Sequence, residues 1–395
     1  MREVKVSVIM PFYNGAEYIN ETMMAILDQT LEEIEIICVD DGSTDQTFML
    51  LQEYAKKDER ITVLQQKKAN AGVARNLGMK KANGEYLLFL DSDDLFEKDM
   101  LEKMYAACKD CQADVCVCDA DQYDILQEKY IEKPQYLRKK VLPDQIPFSR
   151  KTIGKYILYF TTSVPWNKMI KKSFVDEHGI EFQDISRAND QYFSIMTLLL
   201  AKKITVVNEK LVHYKVKQKE NLTTKFSETP LCAYESMLAV KNTLENMNLL
   251  KELEIRCAFD NKILNLMLYS LNIQSTIDGY KVLYETLKDG GFENLGFIFH
   301  DSSYYFNELE YQNLNHILEG SYDEYLLLKN REYRNTIEEK KAAYKEMVMK
   351  KNATIAGLKE KERELNAIKK KNWYQKITGL IDWYHKVLKR NKDKA

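Results

Sequence analysis

Short, mostly apolar runs alternate with amphipathic stretches over the first quarter of the chain. The runs of strand length cover residues 4–10, 34–39, 61–64 and 85–90, and helical periodicity marks residues 16–27 and 47–56. Alternation of strands and helices with short polar turns is typical of a doubly wound, mostly parallel sheet. We therefore predict an α/β fold for this part of the chain.

Polar and acidic residues are concentrated in the loops that follow these strands. Asp91-Ser92-Asp93-Asp94 follows the fourth strand, and Asp40 and Asp41 follow the second. Open α/β sheets bind nucleotides at the carboxyl ends of their strands, and carboxylate oxygens suit Mg²⁺ or Mn²⁺ holding a diphosphate. Taken alone, each acidic run could also be a solvated turn or a helix cap.

Four motifs in order and spacing make the chain resemble the family-2 glycosyltransferases over residues 4–119. They are Val8-Ile9-Met10-Pro11-Phe12-Tyr13-Asn14, Val39-Asp40-Asp41-Gly42-Ser43, Ala74-Arg75-Asn76-Leu77-Gly78 and Asp91-Ser92-Asp93-Asp94. The likeness continues through Val164-Pro165-Trp166-Asn167-Lys168 and Asn189-Asp190-Gln191-Tyr192-Phe193 to about residue 225. The resemblance implies an inverting enzyme with the GT-A nucleotide-sugar fold and a mostly parallel central sheet. The low Gly and Pro content, 14 and six residues, and the amphipathic patterning after residue 225 separately predict a helical C-terminal region.

The resemblance implies a role for several residues on the donor side. Asp93 is expected to bind Mn²⁺ or Mg²⁺, and Asp91 to contact the ribose or a metal-bound water. Arg75 is expected to position the diphosphate, because a guanidinium fork matches phosphate oxygens; an ion pair with an Asp of the same rim is compatible with that role. Asp94 is expected to cap the following helix or to support the site.

The nucleobase site is expected to involve four further residues. Asp41 fits the N3–H of uracil or thymine and could also meet a guanine edge. The turn from Pro11 to Tyr13 is expected to pack on the base, and Asn70 to lie near the ribose or the base.

The acceptor side is expected to supply the catalytic base, which must be a carboxylate. The family uses the Asp of a Glu-Asp pair that opens a helix. This chain has Asn189-Asp190, so Asp190 keeps the essential group and Asn189 leaves the role of the preceding position open. Without the resemblance, Asp190 would be interpreted as an acid in the first turn of a helix. Trp166 could stack on an acceptor sugar or could equally be a core residue.

Composition and charge indicate where in the cell the protein works and what kind of surface it could bind. No signal-peptide pattern precedes the first strand and no apolar run approaches the roughly 20 residues that cross a bilayer. We expect a cytoplasmic enzyme, either free or peripheral on the inner face of the cell membrane. Residues 331–395 hold 19 basic and nine acidic residues, whereas the whole chain has a net charge of −2. A basic tail on an acidic body suggests a negatively charged partner surface; we expect no nucleic-acid partner.

The predicted organisation has four parts. Residues 1–225 form the catalytic domain, with a nucleotide-binding half at 1–119 and an acceptor half at 120–225, and residues 226–330 form a helical region. The acceptor half is expected to contain paired strands near 204–207 and 211–216.

The last two parts are helical. Residues 331–371 form a charged helix, which is either a short coiled coil that joins two copies of the chain through 335–371 or a single solvated helix. Residues 372–395 form an amphipathic basic helix and tail. Its apolar face at 373–390 suits a membrane interface, a neighbouring helix or a partner subunit.

The predicted function is sugar transfer from a nucleotide diphosphate, expected to be UDP, to a glycan or lipid-linked acceptor in surface polysaccharide synthesis. A sugar-1-phosphate nucleotidyltransferase is one alternative, but it should show a Gly-rich, basic phosphate loop after the first strand. Pro11-Phe12-Tyr13-Asn14-Gly15 is not such a loop. A degenerate scaffold with a partner-binding helical tail is the other alternative. The joint presence of Asp41, Arg75, Asp91, Asp93 and Asp190 argues against it.

Overall fold

The computed structural model describes residues 3–216 and 229–392. The chain divides into two compact units, Met1–Tyr322 and Asp323–Ala395. The first unit contains a mixed nine-stranded sheet flanked by helices, followed by a helical region. Residues 217–228 and 393–395, which fall at the predicted end of the catalytic domain and in the predicted tail, lie outside the described residues.

The strands of the sheet follow the chain as nine segments. They are β1 (Val6–Phe12), β2 (Ile34–Asp40), β3 (Ile61–Gln65), β4 (Tyr86–Phe89), β5 (Leu95–Phe96), β6 (Val115–Asp124), β7 (Lys129–Glu132), β8 (Lys168–Lys171) and β9 (Ile204–Val216). Their spatial order is β3-β2-β1-β4-β8-β6-β9-β5, and β7 pairs with β6 outside this path.

Four neighbouring strands at one side of the sheet are parallel, as the alternating pattern predicts: β3, β2, β1 and β4. β8 is antiparallel to both β4 and β6 and so joins this half to the parallel pair β6 and β9. The sheet and the helices after it confirm the predicted α/β fold class.

The expected strand pair at 204–207 and 211–216 is wrong, because one strand, β9, spans both segments. The register between β6 and β9 shifts on either side of Asp119. An irregularity of this kind lets a strand bend and continue instead of turning back. The polar stretch between the two segments therefore belongs to the strand.

The helices that pack on the sheet come largely from the segments between strands. They are α1 (Ile19–Leu27), α2 (Thr47–Lys57), α3 (Ala71–Lys81), α4 (Met100–Cys111), α5 (Arg150–Ile153), α6 (Lys172–His178) and α7 (Asp190–Leu200). The core between them is apolar and includes Val8, Met10, Ile36 and Leu88 with almost no exposed surface. Both faces of a parallel sheet are covered in this way, so its strands have near-continuous apolar sequences.

The helical region follows the sheet. It contains α8 (Cys232–Asn246), α9 (Leu253–Asn272), α10 (Ile277–Thr286), α11 (Phe292–Asn294) and α12 (Glu308–Glu319). In α9, 13 of the 20 residues are buried, so this helix forms the centre of the region.

The described residues of the second unit all belong to α13 (Tyr322–Lys392), which begins at the last residue of the first unit. It is one continuous helix of 71 residues with no break near residue 371. At about 1.5 Å per residue it is roughly 107 Å long. Within the part of the chain that the structure describes, no helix is both long and apolar enough to cross a membrane.

Candidate active site

The loops after β1, β2 and β4 meet at one edge of the sheet. The register places Phe12 beside Asp40, and the main-chain N–H of Asp41 donates to the carbonyl of Phe12 over 2.8 Å. The main-chain N–H of Leu90 likewise donates to the carbonyl oxygen of Ile9 over 3.1 Å. The residues that follow the three strands are therefore brought to the same place, as the parallel order predicts.

Asp41 is almost fully buried at this edge and holds three hydrogen-bond donors. Its Oδ1 accepts from the Gln66 amide at 2.7 Å and from the main-chain N–H of Ala69 at 2.8 Å, and its Oδ2 pairs with the Lys68 ammonium at 2.8 Å. The ammonium also lies 3.3 Å from the centre of the half-exposed Tyr13 ring. The predicted base-binding residues Asp41 and Tyr13 are therefore joined through Lys68, which the sequence did not single out.

The helix-cap alternative does not account for Asp41, because Asp45 serves the following helix. The Oδ1 of Asp45 accepts from the main-chain N–H of Thr47 at 2.9 Å, in the first turn of α2. Asp40 is buried and accepts from the Gln65 amide at 3.0 Å. Neither residue shares the donors that surround Asp41.

Asn70 begins α3 and connects it to the second half of the domain. Its Oδ1 caps the helix by accepting from the main-chain N–H of Val73 at 3.1 Å, and its Nδ2 donates to Asp184 at 2.7 Å. An N-cap satisfies one of the unpaired N–H groups of a helix start. Asn70 therefore fixes the loop next to Asp41 in addition to its predicted position near the nucleoside.

The guanidinium of Arg75 connects the two halves of the candidate site. It projects from α3, is 6% exposed, and donates to the Asp91 carboxylate over 2.7 Å and to the Asn189 carboxamide over 3.2 Å. Its Nε is buried without a hydrogen-bond partner. The predicted ion pair with an Asp of the rim is present, and the same side chain also reaches the acceptor side.

The acidic run after β4 carries more negative charge than its surroundings neutralise. Burial and the neighbouring carboxylates raise the pKa of both Asp93 and Asp94. Asp94 is 1% exposed, its Oδ1 accepts from the main-chain N–H of Lys215 on β9 at 2.9 Å, and its Oδ2 has no hydrogen-bond partner. The helix-cap interpretation of Asp94 is wrong, because α4 begins only at Met100 and Asp94 is used to hold β9.

The side chains could provide part of a cation site here, but not all of one. No three His, Cys, Asp or Glu side chains converge into a metal site within residues 3–216 and 229–392. The donor groups that fit a hard divalent ion are the carboxylates of Asp93 and Asp91, and a diphosphate could supply the remaining oxygens. Among the described residues, the buried Oδ2 of Asp94 has no hydrogen-bond partner and remains available as a further oxygen beside them.

Asp190 is the first residue of α7 and lies near enough to Arg75 and Asp91 for their charges to act on it. The turn before it is strained, since Ala188 has φ +53°, in the left-handed region that residues with a Cβ seldom adopt. Burial raises the pKa of Asp190, and the charges of Arg75 and Lys262 oppose that rise. A carboxylate with a raised pKa is a stronger base than an ordinary aspartate.

Lys262 is a residue of this site that sequence reasoning missed. It lies on α9, and its charge acts on Asp190 although no ion pair within 4 Å joins them. Within the described part of the chain, Lys262 has no hydrogen-bond or ion-pair partner. Burial lowers its pKa to about 8. No local signal could have found it, since α9 is far from the motifs in sequence and only packing brings it near.

The first turn of α3 lies unusually close to the acceptor side. A Cβ on Gly72 would lie 2.5 Å from the main-chain oxygen of Gln183 and 2.9 Å from the Cβ of Asn189. Only a glycine fits such an approach without displacing the main chain. Gly72 therefore sets the distance between Arg75 on α3 and the Asn189-Asp190 turn.

Trp166 is 3% exposed and lies in the core of the sheet domain. Its ring contacts Tyr136, with 5.0 Å between ring centres, and is stacked parallel to Tyr214 at 6.2 Å. Lys168, two residues on, is fully buried and donates to the carbonyls of Thr162 and Val164. This packing favours the core alternative for Trp166.

Comparisons with known proteins agree with this geometry. The family model described as "Glycosyl transferase family 2" matches residues 7–179. EpsH of Bacillus subtilis (strain 168), which carries a glycosyltransferase name, is 29% identical over 309 residues, which are 74% of this chain and 83% of that protein. Glycosyltransferase GlyG of Streptococcus pneumoniae is 31% identical over 226 residues, 56% of this chain and 74% of that protein.

A third relative is known by both sequence and structure. The poly(ribitol-phosphate) β-N-acetylglucosaminyltransferase TarS of Staphylococcus aureus is 28% identical over 62% of this chain, but this match covers only 41% of TarS. The crystal structure of TarS 1–349 in complex with UDP-GlcNAc has a TM-score of 0.53 and 21% identity, and the match covers 73% of this chain and 92% of that one. The structural likeness supports the GT-A fold. The motifs, the fold and these relatives together show that the chain belongs to glycosyl transferase family 2 and is a glycosyltransferase.

Proposed function

We propose that the protein is an inverting, metal-dependent glycosyltransferase that moves a sugar from a UDP-sugar to a hydroxyl group of a surface glycan or lipid-linked acceptor. The observation that carries this proposal is the position of Arg75. Its guanidinium contacts Asp91 on the acidic rim and Asn189, the residue before Asp190. A donor diphosphate at Arg75 would therefore lie next to the candidate base.

The donor nucleoside would bind at the edge formed by the β1 and β2 loops. Asp41 would accept the N–H of the base, and the turn from Pro11 to Tyr13 would pack against its ring. Asn70 would lie beside the ribose. The diphosphate would then extend toward Arg75, whose fork geometry suits phosphate oxygens.

A divalent cation, Mn²⁺ or Mg²⁺, would be held by Asp93, with Asp91 nearby or acting through water. When bound, the ion supplies Lewis-acid stabilisation of the leaving diphosphate. The acidic run itself supports this assignment, because burial and the neighbouring carboxylates raise the pKa of Asp93 and Asp94 even though the charge of Lys215 opposes that rise.

Asp190 would act as general base. The acceptor oxygen attacks the anomeric carbon as the bond from that carbon to the diphosphate breaks, and the acceptor proton passes to the Asp190 carboxylate. Attack from the side opposite the leaving group inverts the anomeric configuration. The raised pKa of Asp190 favours proton transfer, and the cations Arg75 and Lys262 help to keep the carboxylate ionised before the reaction.

The acceptor class rests on the relatives. TarS is named for transfer to poly(ribitol-phosphate), so a surface polymer or its lipid-linked precursor is the acceptor that we propose for this chain. Synthesis of such polymers would place the enzyme at the inner face of the cell membrane.

Attachment to that membrane is assigned to the C-terminal part of α13. Trp373, Leu380, Ile381 and Trp383 are exposed there. From residue 369 onward the sequence has nine basic and two acidic residues, a balance that complements anionic lipid headgroups. The side chains at 384 and 387–390 lie outside the described residues.

A panel of nucleotide sugars tests the proposed activity. The purified full-length protein should release UDP from at least one UDP-sugar in the presence of Mn²⁺, and transfer to an acceptor should give the inverted anomer. Asp190→Asn serves as the matched inactive variant. Turnover of no nucleotide sugar by a folded, metal-supplied protein, or equal turnover by Asp190→Asn, would contradict the proposal.

A further inference from the structure

A stripe of mostly apolar residues runs along the middle of α13, and the proposed function leaves it without a role. Its members recur at alternating steps of three and four residues, which is the spacing of a coiled-coil interface. The side chains of Ile355, Leu358 and Leu365 are 40%, 62% and 52% exposed, so this surface is open to a second helix. We call the stripe the seam; it consists of Tyr344, Val348, Lys351, Ile355, Leu358, Glu362, Leu365 and Lys369.

Two charges of opposite sign interrupt the apolar part of the seam. Lys351 and Glu362 are both exposed, and within residues 3–216 and 229–392 neither has an ion-pair or hydrogen-bond partner. A charge inside a coiled-coil interface lowers its stability unless the facing helix supplies the opposite charge. The direction in which a second helix runs along the seam therefore decides whether these two charges are matched.

A second copy of the same helix matches the charges in one direction and not in the other. In a parallel pair in register, Lys351 would face Lys351 of the other copy and Glu362 would face Glu362. In an antiparallel pair with its two-fold axis between Ala356 and Gly357, Lys351 of each copy would face Glu362 of the other. The antiparallel pair thus replaces two layers of like charge with two ion pairs.

The apolar positions of the seam agree with this antiparallel pair. On either side of the axis, Ile355 of one copy would face Leu358 of the other. Beyond the ion pairs, Val348 would face Leu365. Each ion pair would therefore lie between apolar layers, where partial removal of water strengthens the attraction between its charges.

The same pattern sets the register of the antiparallel pair. A shift by seven residues in one direction would place Lys351 against Ile355 of the other copy, and a shift in the opposite direction would place it against Lys369. Both shifts leave the ammonium without a carboxylate. In the unshifted pair, Met347 and Ile368, each 56% exposed, would also lie side by side at the edge of the interface.

The seam ends before the segment that is assigned to the membrane. Its next positions in the same spacing are Asn372, Lys376 and Gly379, which are polar or lack a side chain, whereas the apolar face at 373–390 begins with Trp373. The two surfaces are therefore different. Each copy of a pair keeps its own membrane segment, so attachment to vesicles does not depend on pairing.

We propose that residues 344–369 of α13 pair with the same segment of a second copy of this chain as an antiparallel two-stranded coiled coil, in which Lys351 of each copy faces Glu362 of the other. The protein is then a dimer whose two copies are joined through α13. This inference does not rest on the proposed function, because pairing needs neither donor nor metal.

Sedimentation equilibrium of the full-length protein tests the pairing. With rising concentration, the wild-type protein should approach twice the chain mass of 46.4 kDa. Lys351→Glu and Glu362→Lys should each raise the dissociation constant of the dimer at least about 10-fold, because each puts like charges in two layers. The two changes combined should restore it to within about 3-fold of the wild-type value, since they exchange the charges of each pair.

Lys350→Glu is the matched control, because it makes the same charge change one residue away from the seam. It removes only an exposed pair with Glu346, which contributes little to stability. Its dissociation constant should equal that of the wild type. Circular dichroism verifies that every variant keeps its helix content.

Oxidative cross-linking tests the direction of the pair. Val348 of one copy would lie beside Leu365 of the other, whereas the two Val348 residues would lie roughly 26 Å apart along the axis, far beyond the reach of about 7 Å between the Cα atoms of a disulfide. A mixture of Val348→Cys and Leu365→Cys proteins should therefore cross-link, and neither variant should do so alone. The wild-type protein reports any reaction of the native cysteines.

Three results would overturn the inference. The first is a wild-type protein that stays monomeric up to its solubility limit or sediments as a trimer. The second is a combined variant that associates no better than Lys351→Glu or Glu362→Lys alone. The third is cross-linking within either single-cysteine sample, which would show that the two helices run parallel.

Discussion

The guanidinium of Arg75 donates to the carboxamide oxygen of Asn189 over 3.2 Å, across 114 positions of sequence. The same guanidinium pairs with Asp91 at 2.7 Å. One buried side chain thus links the acidic rim to the turn that carries Asp190. Asn189 stands where the family has Glu and gives Arg75 a neutral partner there, so that among the described residues Asp91 is the carboxylate paired with the guanidinium.

Arg75→Lys should weaken UDP binding and lower kcat/KM by roughly 10-fold or more, because an ammonium cannot hold the two contacts in one plane. Calorimetry and initial rates measure the two effects. Arg60→Lys is the control, since Arg60 pairs with Asp58 at the amino end of β3, away from the site. Equal losses in both variants would contradict the assignment of Arg75 to the donor.

Asp190→Asn should lower the transfer rate by about 10²–10⁴, the range for loss of a general base, and should leave donor affinity nearly unchanged. Donor affinity is preserved because this carboxylate is expected to contact the acceptor and not the diphosphate. Single-turnover transfer and UDP titration measure the two properties. Asp176→Asn, an exposed change on α6, should affect neither. Near-normal turnover by Asp190→Asn would assign the base to another residue.

Lys262→Met should move the acidic limb of the kcat/KM profile to higher pH. Asp190 must be deprotonated to accept a proton, so the rate falls as pH drops through its pKa. Burial raises that pKa, while Arg75 and Lys262 lower it and the negative charge of Asp91 adds to the rise. Removing Lys262 therefore raises the pKa of Asp190 further. The pKa of Lys262 is about 8, so this cation is present wherever the acidic limb is measured.

The control for the pH profile is Lys251→Met, which removes an exposed charge from the same helical region. Its acidic limb should match the wild type. A Lys262→Met enzyme with an unchanged limb and only a lower rate would show that Lys262 contributes to packing or acceptor binding, and not to the ionisation of Asp190.

Chelation should abolish donor binding and turnover, and Mn²⁺ or Mg²⁺ should restore them. Asp93→Ala should lose both metal and donor affinity. Asp94→Ala should lose less donor affinity but should unfold at a lower temperature. The loss of the buried contact to the Lys215 N–H costs about 1–3 kcal/mol. Thermal melting and calorimetry with each ion measure these effects. Full activity in excess chelator would refute the metal assignment.

Truncation of α13 after Lys371 should abolish co-sedimentation with vesicles that contain anionic lipid. The double change Trp373→Ala, Ile381→Asp should do the same, because burial of the apolar face contributes more than each basic residue, worth about 1 kcal/mol. Leu358→Asp, an exposed position earlier in the helix, should sediment like the wild type. If all four proteins behave alike, the helix is not a membrane anchor, and the coiled-coil or docked-helix prediction gains support.

The sequence by itself determined the α/β half of the fold and the elements of the donor edge. Each strand there is a short apolar run followed by polar residues, and parallel order brings the carboxyl ends of such strands together whatever the distant contacts are. The start of α3 and the turn at Gly42 also have local causes. The side chain of Asn70 caps the helix, and the positive φ angle of Gly42 forms the turn. These features were predictable because their causes lie within a few residues.

Only the tertiary structure decided the contacts that cross between elements. The charge of Lys262 acts on Asp190 only because folding brings α9 near that carboxylate, and Asp94 holds β9 because a strand from residue 204 onward returns to it. The interpretations of Asp94 as a cap and of 204–207 and 211–216 as paired strands failed for the same reason. A polar residue in a loop has several local uses of nearly equal free energy, and the partner that folding brings to it from elsewhere in the chain determines which one it serves.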